Sequence, residues 1–93
     1  MFNKKNFNLQ EAFKLATQNH VNKKFKEAKK LYNKILEIKP DHANTLNNLG
    51  ELFRTEGETK NAQICYEKAI KANPKLASSY NNLGLVYKSN KDN

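Results

Sequence analysis

The side chains in this 93-residue chain best suited to acid–base, nucleophilic or metal chemistry are two histidines and a single cysteine. His20 and His42 lie far apart, and neither has a cysteine or acid at the spacing that metal coordination requires. Cys65 has no second cysteine, which excludes an internal disulfide, fits a reducing compartment and reads most simply as a small apolar residue on a helix. No glycine-rich loop follows a strand pattern, so no phosphate cradle is expected. Tyr66, Tyr80 and Tyr87 fall on apolar stripes and are expected to pack. An enzyme needs converging groups, and these do not converge. We therefore expect no catalysis, no cofactor and no metal.

What remains is recognition chemistry, carried by lysine and asparagine. The formal net charge is +8. Its basic character belongs to residues 1–40, whose ten lysines face only Glu11, Glu27 and Glu37. Arg54 is the lone arginine, although bidentate phosphate recognition favours that residue. Lys23, Lys24, Lys26, Lys29, Lys30 and Lys34 could meet nucleic acid or an anionic surface. Their spacing scatters them around a polar face, so solvated lysines are the simpler reading and a nucleic-acid role ranks last.

The elements that must position these groups are helical. Apolar residues make up 38% and charged residues 28%, with three glycines and two prolines, which leaves little material for hairpins. A chain of this length is expected to bury only about 60–65% of its unfolded surface. No apolar run suits a secretory signal or approaches the ~20 residues that cross a bilayer. Cytoplasmic residence is the default, with no membrane partner.

One block of sequence occurs twice. Asn44-Thr45-Leu46-Asn47-Asn48-Leu49-Gly50 returns as Ser78-Ser79-Tyr80-Asn81-Asn82-Leu83-Gly84, so the period is 34 residues. The same step relates Leu15, Leu49 and Leu83; Ala16, Gly50 and Gly84; Ala28 and Ala62; Tyr32 and Tyr66; Pro40 and Pro74. Leu46, Leu49, Gly50 and Phe53 form one helical stripe, and Ala62, Tyr66, Ala69 and Ile70 form its partner. Gly57 suits the left-handed end of a helix, Pro74 ends the next, and Asp41 is the expected N-cap of the helix after Pro40. Five helices are predicted near residues 8–21, 24–38, 42–55, 59–72 and 76–89.

These residues resemble the tetratricopeptide repeat family over residues 9–93. Ala12, Asn19 and Lys23 depart from its pattern in the first repeat. The resemblance implies an all-α, right-handed superhelical solenoid of antiparallel helix pairs. Residues 1–8 would be a flexible N-terminal segment, and residues 9–93 one domain with repeats at 9–42 and 43–76 and a half repeat at 77–93.

By the family's geometry, first helices line a concave groove that holds an extended peptide. Lys14, Asn47, Asn48, Glu51, Arg54, Asn81, Asn82 and Lys88 are the expected peptide-binding residues. Asn48 and Asn82, one repeat apart, each offer a donor and an acceptor to a peptide backbone, as the family uses asparagine there. Bonding across neighbouring helices is the alternative role for both. His20, Arg54 and Lys88 form a basic ladder which, with Lys14, would draw acidic peptides; solvated helix ends are the alternative. One branch of the family clamps the carboxylate end of chaperone tails. Of its five positions, here Phe13, Thr17, Asn48, Ser78 and Asn82, only Asn48 agrees, so that clamp is not expected.

The half repeat has no second helix to cover Tyr80, Leu83, Val86 and Tyr87. Self-association through residues 77–89, with a symmetric homodimer as one form, is therefore expected. The leading reading is a peptide-binding scaffold. The alternatives are a homo-oligomeric assembly unit and the N-terminal part of a larger protein.

Overall fold

Each helix begins and ends where a specific side chain or backbone conformation allows it. A computed structural model describes residues 7–92, with side chains through Ser89. It contains α1 (Leu9–Val21), α2 (Phe25–Ile38), α3 (Ala43–Thr55), α4 (Thr59–Ala72) and α5 (Ala77–Asp92). No strand occurs among the described residues. The predicted boundaries agree to within a residue except at the end of α5, which runs on past Ser89.

Asn8 starts α1: its side-chain oxygen accepts the Glu11 amide at 3.1 Å, satisfying one of the amides a helix start leaves unpaired. Asn8 was expected to belong to a flexible segment, whose residues 1–6 lie outside those described. The cap of α3 also differs from expectation. His42, and not Asp41, precedes the first helical residue, and its Nδ1 accepts the Thr45 amide at 3.3 Å. His42 is the last residue before the helical Ala43, the position from which a side chain reaches a first-turn amide.

The turns inside the two helix pairs are copies of one another. Lys24 donates its amide to the Asn19 carbonyl and Lys23 to that of His20; one period later Glu58 donates to Phe53 and Gly57 to Arg54. This six-to-one closure needs a left-handed residue in the turn. Gly57 takes it with φ 81°, whereas the first pair forces Lys23 to φ 64°. Lys39 and Asn73 leave the helical region because each precedes a proline, and both helices end there.

The chain divides into two compact units, residues 1–40 and 41–93. In the first, α1 packs on α2; Ala12, Ala16, Ala28, Tyr32 and Ile35 are completely buried. In the second, α3 packs on α4 and both touch α5. Leu46, Leu49, Leu52, Ala62, Tyr66, Ala69 and Val86 are buried there, with Phe53 and Leu83 packed against the Ala62–Tyr66–Val86 cluster.

Three large apolar side chains on the repeat stripes are open. Leu15 is 44% exposed, since α2 covers the side of α1 that carries Ala12 and Ala16 and leaves Leu15 on the flank. Tyr80 and Tyr87 are 49% and 50% exposed, because α3 and α4 cover α5 along Ser79, Leu83 and Val86 only.

Candidate functional site

The polar centre of the second unit is Asn47, which lies almost wholly buried between α3 and α5. Its Oδ1 accepts the Ser79 hydroxyl at 2.9 Å and the Asn82 amide at 3.1 Å, and its Nδ2 donates to Ser78 Oγ at 3.3 Å. A buried amide held by three bonds cannot also serve a passing peptide. Asn47 therefore leaves the set of expected peptide-binding residues and becomes the pin that fixes α5. For Asn82, the bond across neighbouring helices is the arrangement seen, and it leaves the Asn82 carbonyl free of a described partner.

Asn48 differs from its neighbour. It is half-buried, and its side-chain amide makes no hydrogen bond to another described residue. Glu51, one turn further along the same stripe, is also half-buried, and its carboxylate has no ion pair among the described residues. Asn81 and Lys88 are exposed on α5, and Lys14 is exposed on α1 of the first unit.

The basic ladder turns out to be a pair of structural latches and one open position. In the first unit His20 Nδ1 lies 2.9 Å from the Tyr32 hydroxyl, with the imidazole edge-on to Tyr32 and to Phe25 at ring separations of 5.9 Å. In the second, Arg54 Nε donates to the Tyr66 hydroxyl at 3.3 Å. Each closes its helix pair by satisfying the one polar atom of a buried tyrosine. Burial pushes the Tyr66 phenol above its usual range, and the Arg54 bond and charge pull part of the way back. Lys88, at the same position in α5, has no such tyrosine to meet among the described residues.

Of the four residues expected to drive self-association, Val86 is completely buried against Ala62 and Tyr66, and Leu83 packs beside it. Both face the interior of the second unit, which corrects that expectation. Tyr80 and Tyr87 stay half-open, and Tyr87 donates to Glu67 at 3.3 Å.

Nothing among the described residues assembles a reactive centre. No group of three or more histidine, cysteine or acidic side chains could hold a metal ion there. Cys65 is buried, and burial pushes its thiol up to about 11 despite the Lys68 ammonium nearby. His42 Nδ1 is engaged at the start of α3, 2.7 Å from the Thr45 hydroxyl. No described helix is long and apolar enough to cross a membrane. Among the lysines of residues 23–34, Lys23 lies in the turn, Lys29 and Lys34 are half-buried, and Lys34 approaches Glu37 at 4.0 Å.

Sequence reasoning missed the Asn47 pin. One signal for it exists: the hydroxyl residues Thr45 and Ser79 stand one period apart, and both prove completely buried. The Ser79 hydroxyl bonds Asn47, whereas the Thr45 hydroxyl meets His42.

A tetratricopeptide repeat profile matches residues 8–75, and another matches residues 65–93. The chain belongs to the tetratricopeptide repeat family. Two solved structures share its fold. The crystal structure of MamA aligns with TM-score 0.85 at 22% identity, over 89% of this chain and 48% of that one. The Sgt2 TPR domain from Aspergillus fumigatus aligns with TM-score 0.83 at 23% identity, over 90% of this chain and 56% of that one. This chain thus spans about half the length of the structures it matches. No curated protein matches the sequence.

Proposed function

We propose that the chain is a non-catalytic protein-interaction scaffold whose second unit captures an extended peptide on the face of α3 that carries Asn48. The observation behind this reading is the contrast between adjacent asparagines. Asn47 has three bonds and is buried, while Asn48 presents an unpaired amide at a half-buried position. An amide pairs with a peptide's backbone N–H and C=O together, so it grips an extended segment with little regard to side chains. Half burial strengthens such bonds by limiting competition from water.

The free carbonyl of Asn82 supports a second backbone contact, and the Glu51 carboxylate favours a donor on the peptide beside it. The net charge of +8 supports an acidic partner overall, since long-range attraction raises the encounter rate. Exposed Lys14 adds to that field from the first unit.

The test is a titration of the whole chain with short acidic peptides, followed by side-chain amide NMR. The reading expects the Asn48 amide to shift most and Asn48→Ala to weaken binding about tenfold, which corresponds to ~1.4 kcal/mol. Binding that maps only to the lysines of residues 23–34 and is indifferent to Asn48→Ala would overturn it.

A further inference from the structure

The turn joining α1 to α2 and the turn joining α3 to α4 share one backbone design and carry opposite chemistry. Both close with the same pair of amide bonds, Lys24 to Asn19 and Lys23 to His20 in the first unit, Glu58 to Phe53 and Gly57 to Arg54 in the second. Aligned by the 34-residue step, Val21-Asn22-Lys23-Lys24 stands where Thr55-Glu56-Gly57-Glu58 stands. All eight residues are exposed, so this is a surface tip in both units.

The second tip shows that the turn folds with a threonine, two acids and a glycine. The first exchanges the threonine for Val21, the acids for Asn22 and Lys24, and the glycine for Lys23, and the exposed Lys26 follows within the first turn of α2. Lys23, Lys24 and Lys26 have no ion pair among the described residues. Val21 is 80% exposed, the most open large apolar side chain among them. Lys23 meanwhile holds φ 64°, a conformation that Gly57 adopts without strain. An apolar side chain in water and a lysine in a strained backbone both oppose folding, and the second tip shows that neither is needed to close the turn. Local costs of this kind, gathered at one exposed place, point to function.

We infer that the α1–α2 tip docks on an anionic lipid surface. Val21 enters the headgroup boundary, and the ammonium groups of Lys23, Lys24 and Lys26 meet lipid phosphates and carboxylates beside it. Lysine, a compact and strongly hydrated point charge, suits a diffuse array of headgroups; bidentate readout of single phosphates calls for arginine, and the turn has none. Nucleic acid is a poorer match, because the one aromatic side chain here, Phe25, is half-buried with its ring edge-on to His20 and offers no platform for a base. A protein partner is poorer still. Four exposed turn residues fall far short of the roughly 800 Å² that each side of a stable interface contributes, whereas a lipid surface needs one inserted side chain and a few charges. The contact is peripheral and reversible, and it would bring the scaffold to a membrane without a spanning helix.

The test uses the whole chain with vesicles of phosphatidylcholine alone or mixed with phosphatidylserine. The chain has no tryptophan, so Val21→Trp places a single reporter at the tip. Its emission should move to shorter wavelength on the mixed vesicles and stay fixed on phosphatidylcholine alone. In co-sedimentation, a quadruple variant that writes the second tip onto the first (Val21→Thr, Asn22→Glu, Lys23→Gly, Lys24→Glu) should weaken binding to the mixed vesicles by about tenfold or more, with an unchanged helical spectrum. Lys68→Glu with Lys71→Glu, at exposed positions of α4, lowers the net charge by the same amount and should retain most of the binding. Asn48→Ala should leave vesicle binding unchanged, so this inference and the peptide reading fail separately. Equal losses in the tip and α4 variants would overturn the inference, since overall charge alone would then explain the attraction. So would reporter emission that ignores the mixed vesicles, or a chain that ignores them and binds single-stranded oligothymidine through the tip.

Discussion

The ring of Tyr66 lies so close to the α-carbon of Gly50 that a β-carbon there would stand 2.6 Å from Tyr66 Cε1 and 2.8 Å from Cδ1. The ring cannot swing aside cheaply: it is completely buried, and its hydroxyl is tied to Arg54. Gly50→Ala should therefore destabilise the second unit by about 1–2 kcal/mol, overpacking outweighing the better helix propensity of alanine. Gly84 repeats Gly50 in sequence but has open space above it. Gly84→Ala should stabilise by about 0.5–1 kcal/mol. Urea unfolding of the two variants checks the opposite signs.

Asn47→Ala removes three hydrogen bonds and leaves the Ser79 hydroxyl buried without its partner. A loss of about 2–3 kcal/mol is expected, felt first as detachment of α5. Amide hydrogen exchange should show α5 protection falling further than α4 protection. Equal loss in both helices would show that Asn47 does not act as a pin.

Lys23 holds a left-handed backbone with φ 64° that costs a non-glycine residue roughly 1 kcal/mol. Glycine does the same work at position 57. Lys23→Gly should raise stability by at most about 0.5 kcal/mol, the released strain of roughly 1 kcal/mol being offset in large part by the added freedom of the unfolded chain. Thermal melting measures this directly.

Burial raises the Cys65 thiol from 9.0 to about 11. At neutral pH its thiolate fraction should be about a hundredfold below that of the unfolded chain, so iodoacetamide should react correspondingly slowly until the protein unfolds. The unfolded thiol loses its proton first. Stability from this group is therefore full below pH 9.0 and declines as pH rises towards about 11. Alkylation rates measured against pH should place the folded midpoint well above the unfolded one.

Periodicity made the helices legible, since the 34-residue step fixes their number and the prolines and Gly57 fix most of their ends. It also put Gly50 on one helical stripe and Tyr66 on the stripe that pairs with it. Periodicity is blind to two things. Equivalent positions have unequal surroundings, which is why Leu49 is buried while Leu15 is not, and why Tyr80 is open where Leu46 is closed. Nor does repeat position reveal whether a polar side chain bonds inward. Asn47 and Asn48 are adjacent and chemically identical, and only the approach of α5 separates pin from presented amide. Repeat position likewise did not reveal that Arg54 bonds the Tyr66 hydroxyl through its Nε.

One paired measurement probes that division of labour between neighbours: peptide affinity and melting temperature of Asn47→Ala beside Asn48→Ala. Asn48→Ala should keep its melting temperature and lose about tenfold in affinity. Asn47→Ala should lose stability at once, with affinity reduced only as far as α5 detaches. Wild-type affinity in a folded Asn48→Ala chain, under conditions where the parent binds the peptide, would contradict it.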